Sequence, residues 1–382
     1  MKRKICIITG TRADWGLLSP IAKALNENSD AELQIIATNM HLLEQYGYTA
    51  RQIEDDGFHI DKKVAVNPKS DTIEMMATIL TGTAEALREL KPDLVVILGD
   101  RFEMMSAATA CTILRVPVAH IAGGTISEGA IDDSIRHCIS KMSHIHLTET
   151  EESRQRVIQL GENPENVHNV GAIGVWSITQ RENANVEDVC ARVGLPVGEN
   201  TLAVTFHPST LDNKPAKEQF SNLLKALDEH HECNIVFTYP NNDPYGEGII
   251  ELIDNYVRTH THRAVAHASL GQKLYFNLLE HCGAVVGNSS SGIVEAPSFG
   301  IPTLNIGMRQ NGRTAATSVY NCGVSKEEIS SGLTKILSKS FRQTARQCRN
   351  PYQNPDTLQL ILNALLHTPL EGITQKHFFD IA

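Results

Sequence analysis

Ala284-Val285-Val286-Gly287-Asn288-Ser289-Ser290-Ser291-Gly292-Ile293 is a short apolar run, a turn of small polar residues, and the start of a helical pattern reaching Phe299. A β-branched run that ends in glycine and reopens as a helix is the repeating step of a parallel α/β sheet. The same alternation recurs on both sides of it. Thr201–His207, Asn234–Tyr239 and Ala264–Ala266 precede it as strands, and Pro302–Ile306 follows. An earlier series, Lys4–Thr9, Glu32–Thr38, Leu94–Gly99 and Val116–Ile121, is interleaved with helical stretches, the first near Leu18–Asn26. Two such series predict an α/β protein of two Rossmann-like domains whose parallel sheets face one another across a cleft. The expected boundaries are residues 1–175 for the first domain, 176–365 for the second and 366–382 for a tail. Val170–Ile178 reads as the hinge, and a last helix near Pro355–Leu366 is placed to return to the first domain.

The 382 residues suit two domains of ordinary size. With 34 basic against 44 acidic residues the net charge is −10, so the surface repels polyanions and nucleic-acid binding is not expected. An anionic ligand must be met by a local basic site. The apolar stretch Ile5–Ile8 is too short for a signal-peptide core, and no run approaches the ~18 apolar residues of a membrane span. The eight cysteines are scattered without a C-x-x-C pair, which reads as reduced thiols in a cytoplasmic protein. His144 and His146, His230 and His231, and His260 and His262 lack companions at ligand spacing, so no metal is expected.

A strand, a small-residue turn and a helix N-terminus present backbone N–H groups and hydroxyls to an anion. Ser289, Ser290, Ser291 and Gly292 form that turn, and Glu295 follows where a carboxylate accepts two ribose hydroxyls. A capped helix would account for the serines, but not for Arg309 and Arg313 after the next strand. His207 ends the strand Thr201–His207 and is expected to face the same cleft as a cation or donor.

In the first domain, Thr9-Gly10-Thr11-Arg12-Ala13-Asp14 is not G-x-G-x-x-G, so no dinucleotide cofactor is indicated. Arg12 would aim its fork at phosphate or sugar oxygens. Asp100 directly follows an apolar strand in Gly99-Asp100-Arg101-Phe102-Glu103, as a helix N-cap, an acid/base group or both. Asp132 and Arg136 lie four apart on one helical face, and Asp133 and His137 on the next. Exposed ion pairs of that spacing, worth ~0.3–0.5 kcal/mol, account for the pattern as readily as catalysis does.

Together, Gly10-Thr11-Arg12-Ala13-Asp14, Gly99 to Glu103, Asp132-Asp133-Ser134-Ile135-Arg136-His137, His207-Pro208, Gly287 to Gly292 and Arg309 to Arg313 resemble the UDP-N-acetylglucosamine 2-epimerases. The hydrolysing branch is the closer match, because the other branch resembles G-T-R-P-E-x-x-K where this chain has Ala13-Asp14 and Leu17. The resemblance implies the GT-B fold. It implies conversion of UDP-N-acetylglucosamine, or a related UDP-2-acetamido sugar, to the free 2-epimer plus UDP through a glycal, without a cofactor. Such enzymes feed sialic-acid-like biosynthesis, and the expected assembly is a homodimer or higher homo-oligomer. Alternatives are a non-hydrolysing epimerase and a GT-B glycosyltransferase. The family's UDP contacts fall on Arg12, Arg101, His207, Asn241, His267, Ser289, Ser290, Glu295 and Arg309. Its acid/base carboxylates fall on Asp100 and Asp132, with Arg136 in the same set. Many relatives carry glutamate within His120–Thr125, where this chain has Ala122 and Thr125. Either Glu128 substitutes from the next turn, or the sugar differs.

Overall fold

The computed structural model describes residues 2–128, 130–208, 215–240 and 246–381. The chain forms two compact units. The first holds the chain up to Thr125, Asp132–Ser177 and everything from Asn354; the second holds Ile126–Ile131 and Ile178–Gln353.

The first unit contains β1 (Arg3–Thr9), β2 (Ala31–Thr38), β3 (Lys62–Val64), β4 (Leu94–Leu98), β5 (Val118–Ile121), β6 (Ile145–Thr148) and β7 (Val167–Asn169). They make one parallel sheet in the order β3-β2-β1-β4-β5-β6-β7. The period-2 alternation of strand side chains divides β1 between two cores. Ile5 and Ile7 pack with Trp15, Leu18, Ile361 and Leu365, while Cys6 and Ile8 pack with Val95, Ile97, Met104 and Ala107. Both faces are covered, which is why these strands read as continuous apolar runs. Ile361 and Leu365 belong to the helix Thr357–His367, so the chain ends by returning to this unit.

The second unit contains β8 (Thr201–Thr205), β9 (Asn234–Thr238), β10 (Ala264–His267), β11 (Ala284–Gly287), β12 (Thr303–Ile306) and β13 (Val319–Cys322). Its parallel sheet runs β10-β9-β8-β11-β12-β13. Leu202 and Val204 face Phe220, Phe237 and Leu333, whereas Ala203 faces Val189, Leu278 and Val285.

Each sheet reverses its strand order once, between β1 and β4 in the first unit and between β8 and β11 in the second. In open α/β sheets, ligands bind beyond the carboxyl ends of the strands at such a point. The reversals bring Gly10–Asp14 beside Gly99–Glu103 in one unit, and His207 beside Gly287–Gly292 in the other. No helix among the described residues is long and apolar enough to cross a membrane.

Candidate active site

At the first unit's reversal, Thr11 caps the helix Arg12–Glu27. Its hydroxyl accepts from the Asp14 N–H at 3.2 Å, and Asp14 Oδ2 accepts the Thr11 N–H at 3.1 Å. The capping box therefore satisfies backbone donors that an incoming anion would otherwise use. Arg12 is exposed at the first position of that helix. Asp14 lies against the fully buried Glu103, whose Oε1 accepts Arg101 Nε at 2.7 Å. Burial, and then the Glu103 charge, push the Asp14 carboxyl up to about 6. Asn39, just past β2, holds φ 50, a left-handed conformation rare outside glycine, and its Nδ2 is buried with no hydrogen-bond partner among the described residues.

Asp100 follows β4 across Gly99, and Arg136 Nη2 donates to its Oδ2. Arg136 is 2% exposed. Its Nη1 donates to the Thr125 carbonyl at 2.7 Å and lies 3.4 Å from Asp133 Oδ1. The helical charges, which spacing alone leaves equally open to a solvated ion pair and to catalysis, are partly internal: Arg136 fastens the end of β4 to the first turn of the helix Asp132–Met142, the turn that carries Asp132. His120 braces the same corner. Its Nε2 donates to the Gly99 carbonyl at 2.7 Å, and its Nδ1 accepts from Ser140 Oγ at 3.1 Å. Burial holds its imidazole neutral, down to about 3. Thr125, where relatives carry glutamate, is buried with its hydroxyl 3.4 Å from Ser153 Oγ, and Ala122 holds φ 64. Glu128 is exposed and belongs to the second unit.

At the second unit's reversal, Gly287 has φ 131 and a Cβ there would stand 1.9 Å from the Thr205 carbonyl oxygen, so only glycine fits. Asn288 then links the two strand ends: its Oδ1 accepts the His207 N–H at 2.6 Å and its Nδ2 donates to the His207 carbonyl at 2.8 Å. The Asn288 carbonyl accepts Arg309 Nη1 at 3.2 Å and Gln310 Nε2 at 2.9 Å. Ser289, Ser290, Ser291, Gly292 and Glu295 follow in one turn, and Ser291 Oγ donates to the Tyr275 hydroxyl at 3.0 Å.

One expectation requires correction and a second is narrowed to one of its two alternatives. The helix after the serine turn is only Ser291–Val294, followed by a 3-10 turn, so a full helix dipole is not available to an anion. What remains is the hydroxyls, the turn amides and Arg309. The strand-end position of His207 suggests a cation or donor; desolvation, followed by the charge of Arg309, depresses its imidazole well below the usual range, leaving a neutral ring. His267 ends the edge strand β10, away from the reversal, and its Nε2 donates to the Val193 carbonyl at 2.9 Å. Asn241 lies outside the described residues.

The buried histidines predict a pH dependence. Those depressed below the ordinary 6.5, His41 and His144 to about 4 and His120 to about 3, stabilise the fold above that ordinary value and lose the contribution as pH falls. Asp14, raised to about 6 from 3.8, acts in the opposite sense. Around pH 5 the unfolded chain thus binds more protons than the folded one, with His146 and His207 adding in the same sense, and stability should rise with pH across that window. Urea midpoints that stay flat across that window would contradict this.

The model of the family described as UDP-N-acetylglucosamine 2-epimerase matches residues 23–366. Among curated relatives, the GDP/UDP-N,N'-diacetylbacillosamine 2-epimerase (hydrolyzing) of Campylobacter jejuni is 37% identical over 385 residues, covering 100% of both chains. The UDP-N,N'-diacetylbacillosamine 2-epimerase (hydrolyzing) of Legionella pneumophila is 36% identical, covering 89% of this chain and 90% of its own. Among solved structures, the UDP-GlcNAc 2-epimerase of Neisseria meningitidis bound to UDP-GlcNAc superposes with a TM-score of 0.80 at 17% identity, covering 96% of this chain and 100% of that one. The likeness establishes the fold class, two Rossmann-like domains of the GT-B type.

Proposed function

The chain belongs to the UDP-N-acetylglucosamine 2-epimerase family, and on that premise we propose that it is a hydrolysing 2-epimerase of a UDP-linked 2-acetamido sugar. The observation that supports this reading is the buried Arg136, which joins Asp100, at the end of β4, to Asp133 in the helix turn that also bears Asp132.

The chemistry needs such a pair. One carboxylate takes the C2 proton as the C1–O bond to UDP breaks, leaving UDP and a glycal with a C1–C2 double bond. Water then adds its oxygen at C1, and a proton returns to C2 from the opposite face, giving the free 2-epimer. Asp100 and Asp132 are the proton carriers, with Arg136 holding them in register. UDP leaves against Arg309, neutral His207 and the hydroxyls of Ser289 and Ser290, with Glu295 on the ribose; Arg12 and Arg101 are the further contacts that the family resemblance implies. A neutral His207 donates a hydrogen bond without adding charge.

For the sugar, the relatives named for N,N'-diacetylbacillosamine and the absence of glutamate at Ala122 and Thr125 favour a substituted substrate over plain UDP-N-acetylglucosamine. The product then enters the making of a sialic-acid-like sugar. Free cysteines throughout fit a reducing cytoplasm. Incubation with UDP-N-acetylglucosamine and with UDP-N,N'-diacetylbacillosamine, without any acceptor, tests the reading. UDP plus the free 2-epimer is expected, faster from the second substrate. An epimerised sugar still bearing UDP would make the enzyme non-hydrolysing, and a requirement for an acceptor would make it a transferase.

A further inference from the structure

The second unit includes a stretch, Ile126–Ile131, that interrupts the first unit's sequence directly ahead of Asp132. It is seated on the loop following β12. The Glu128 N–H donates to the Asn311 carbonyl at 3.3 Å. Arg313 Nη2 donates to Ser127 Oγ at 3.4 Å, and Ser127 is 5% exposed. Between these two bonds lies Gly312, with φ 81; a Cβ there would stand 2.4 Å from Ile126 Cγ2 and 3.4 Å from Glu128 Oε1. The seat is therefore a glycine notch flanked by a backbone bond on one side and a guanidinium on the other.

The other end of the loop is fastened elsewhere. Arg309 and Gln310 both donate to the Asn288 carbonyl, at the turn assigned above to UDP. One short loop thus carries two arginines with different destinations: Arg309 on the serine turn, Arg313 on the segment that runs into Asp132. Arg313 Nε is buried without a hydrogen-bond partner among the described residues, so its side chain is held where the seat needs it at some loss of solvation.

We propose that Arg313, together with Gly312, is a positioning residue that seats Ile126–Ile131 and so fixes the approach of Glu128, rather than a ligand of UDP. The inference rests on the function proposed above. It divides the loop between two roles, with the first half meeting the leaving group and the second half holding the chain from which the acid/base helix starts. The seat makes no claim on UDP affinity, only on how Glu128 stands.

The test uses the full-length enzyme. Calorimetry gives the UDP Kd, steady-state assays on the UDP-sugar give kcat and KM, and amide hydrogen exchange follows residues 126–131. Arg313→Ala should keep the UDP Kd within about threefold, lower kcat by at least roughly tenfold and quicken exchange in 126–131, with Arg313→Lys recovering part of kcat. Gly312→Ala should behave likewise, since at φ 81 the new methyl strains the turn as well as striking Ile126. A UDP Kd weakened roughly tenfold with kcat kept would make Arg313 an anion ligand and overturn the proposal. So would exchange in 126–131 that does not change. If the wild-type enzyme turned over no UDP-sugar, the functional reading would fall, while the exchange measurement would still decide whether the seat exists.

Discussion

Asp100→Asn and Asp132→Asn should each lower kcat by roughly 10²–10⁴-fold while UDP binds within about threefold of wild type. The expectation follows from the division of labour between the two units. The groups assigned to the leaving nucleotide, Arg309, His207 and the serine turn, lie at the β8–β11 reversal, and neither aspartate belongs to that unit. An asparagine at residue 100 retains an oxygen for Arg136 Nη2 but can carry no proton to or from C2. Loss of the proton carrier therefore costs rate, with little effect on affinity for a product that lacks the sugar. If either variant kept turnover but bound UDP weakly, the carboxylates would be nucleotide ligands and the assignment would be wrong.

The second large effect is expected at Arg136. Its guanidinium reaches Asp100, Asp133 and the Thr125 carbonyl from a position 2% exposed, and the two carboxylates are only 23% and 26% exposed. Arg136→Met leaves both charges without this partner in a poorly solvated corner. Removing one member of a buried ionic network typically costs about 3–5 kcal/mol, and the partial exposure here argues for the lower end. The urea midpoint should fall accordingly, and kcat with it, because Asp100 and the turn of Asp132 lose their common brace. Arg136→Lys should be intermediate, since one ammonium cannot match a fork that donates in three directions. An unchanged midpoint would mean that the network does not hold this corner together.

The long apolar strands are legible in the sequence because both faces of each sheet are covered, which turns a period-2 signal into unbroken Val, Ile and Leu runs such as Leu94–Leu98. The strands that escape such a reading are short and mixed: β3 is Lys62-Lys63-Val64, β6 carries His146, and β13 is Val319-Tyr320-Asn321-Cys322. Pairing with a neighbour, rather than composition, makes them strands. Periodicity places the first helix near Leu18, yet it starts at Arg12, because the Thr11–Asp14 capping box nucleates it and Pro20 is accommodated inside.

For the candidate site, motif order is enough to name the carboxylates and the serine turn, but not their partners. That Arg136 turns to Asp100, thirty-six positions away, depends on the fold bringing the loop after β4 to the helix Asp132–Met142. His120 and Tyr275 carry no sequence signal for the same reason: one braces Gly99, and the other accepts from Ser291, each across elements distant in sequence. The neutral state of His207 is equally hidden, since it depends on burial and on the position of Arg309.

Incubating the wild-type enzyme with its UDP-sugar in deuterium oxide, without acceptor, tests the central claim most directly. Elimination followed by hydration predicts UDP release with deuterium at C2 of the freed 2-epimer. UDP release with protium kept at C2 would show that the C1–O bond breaks without abstraction of the C2 proton, and would contradict it.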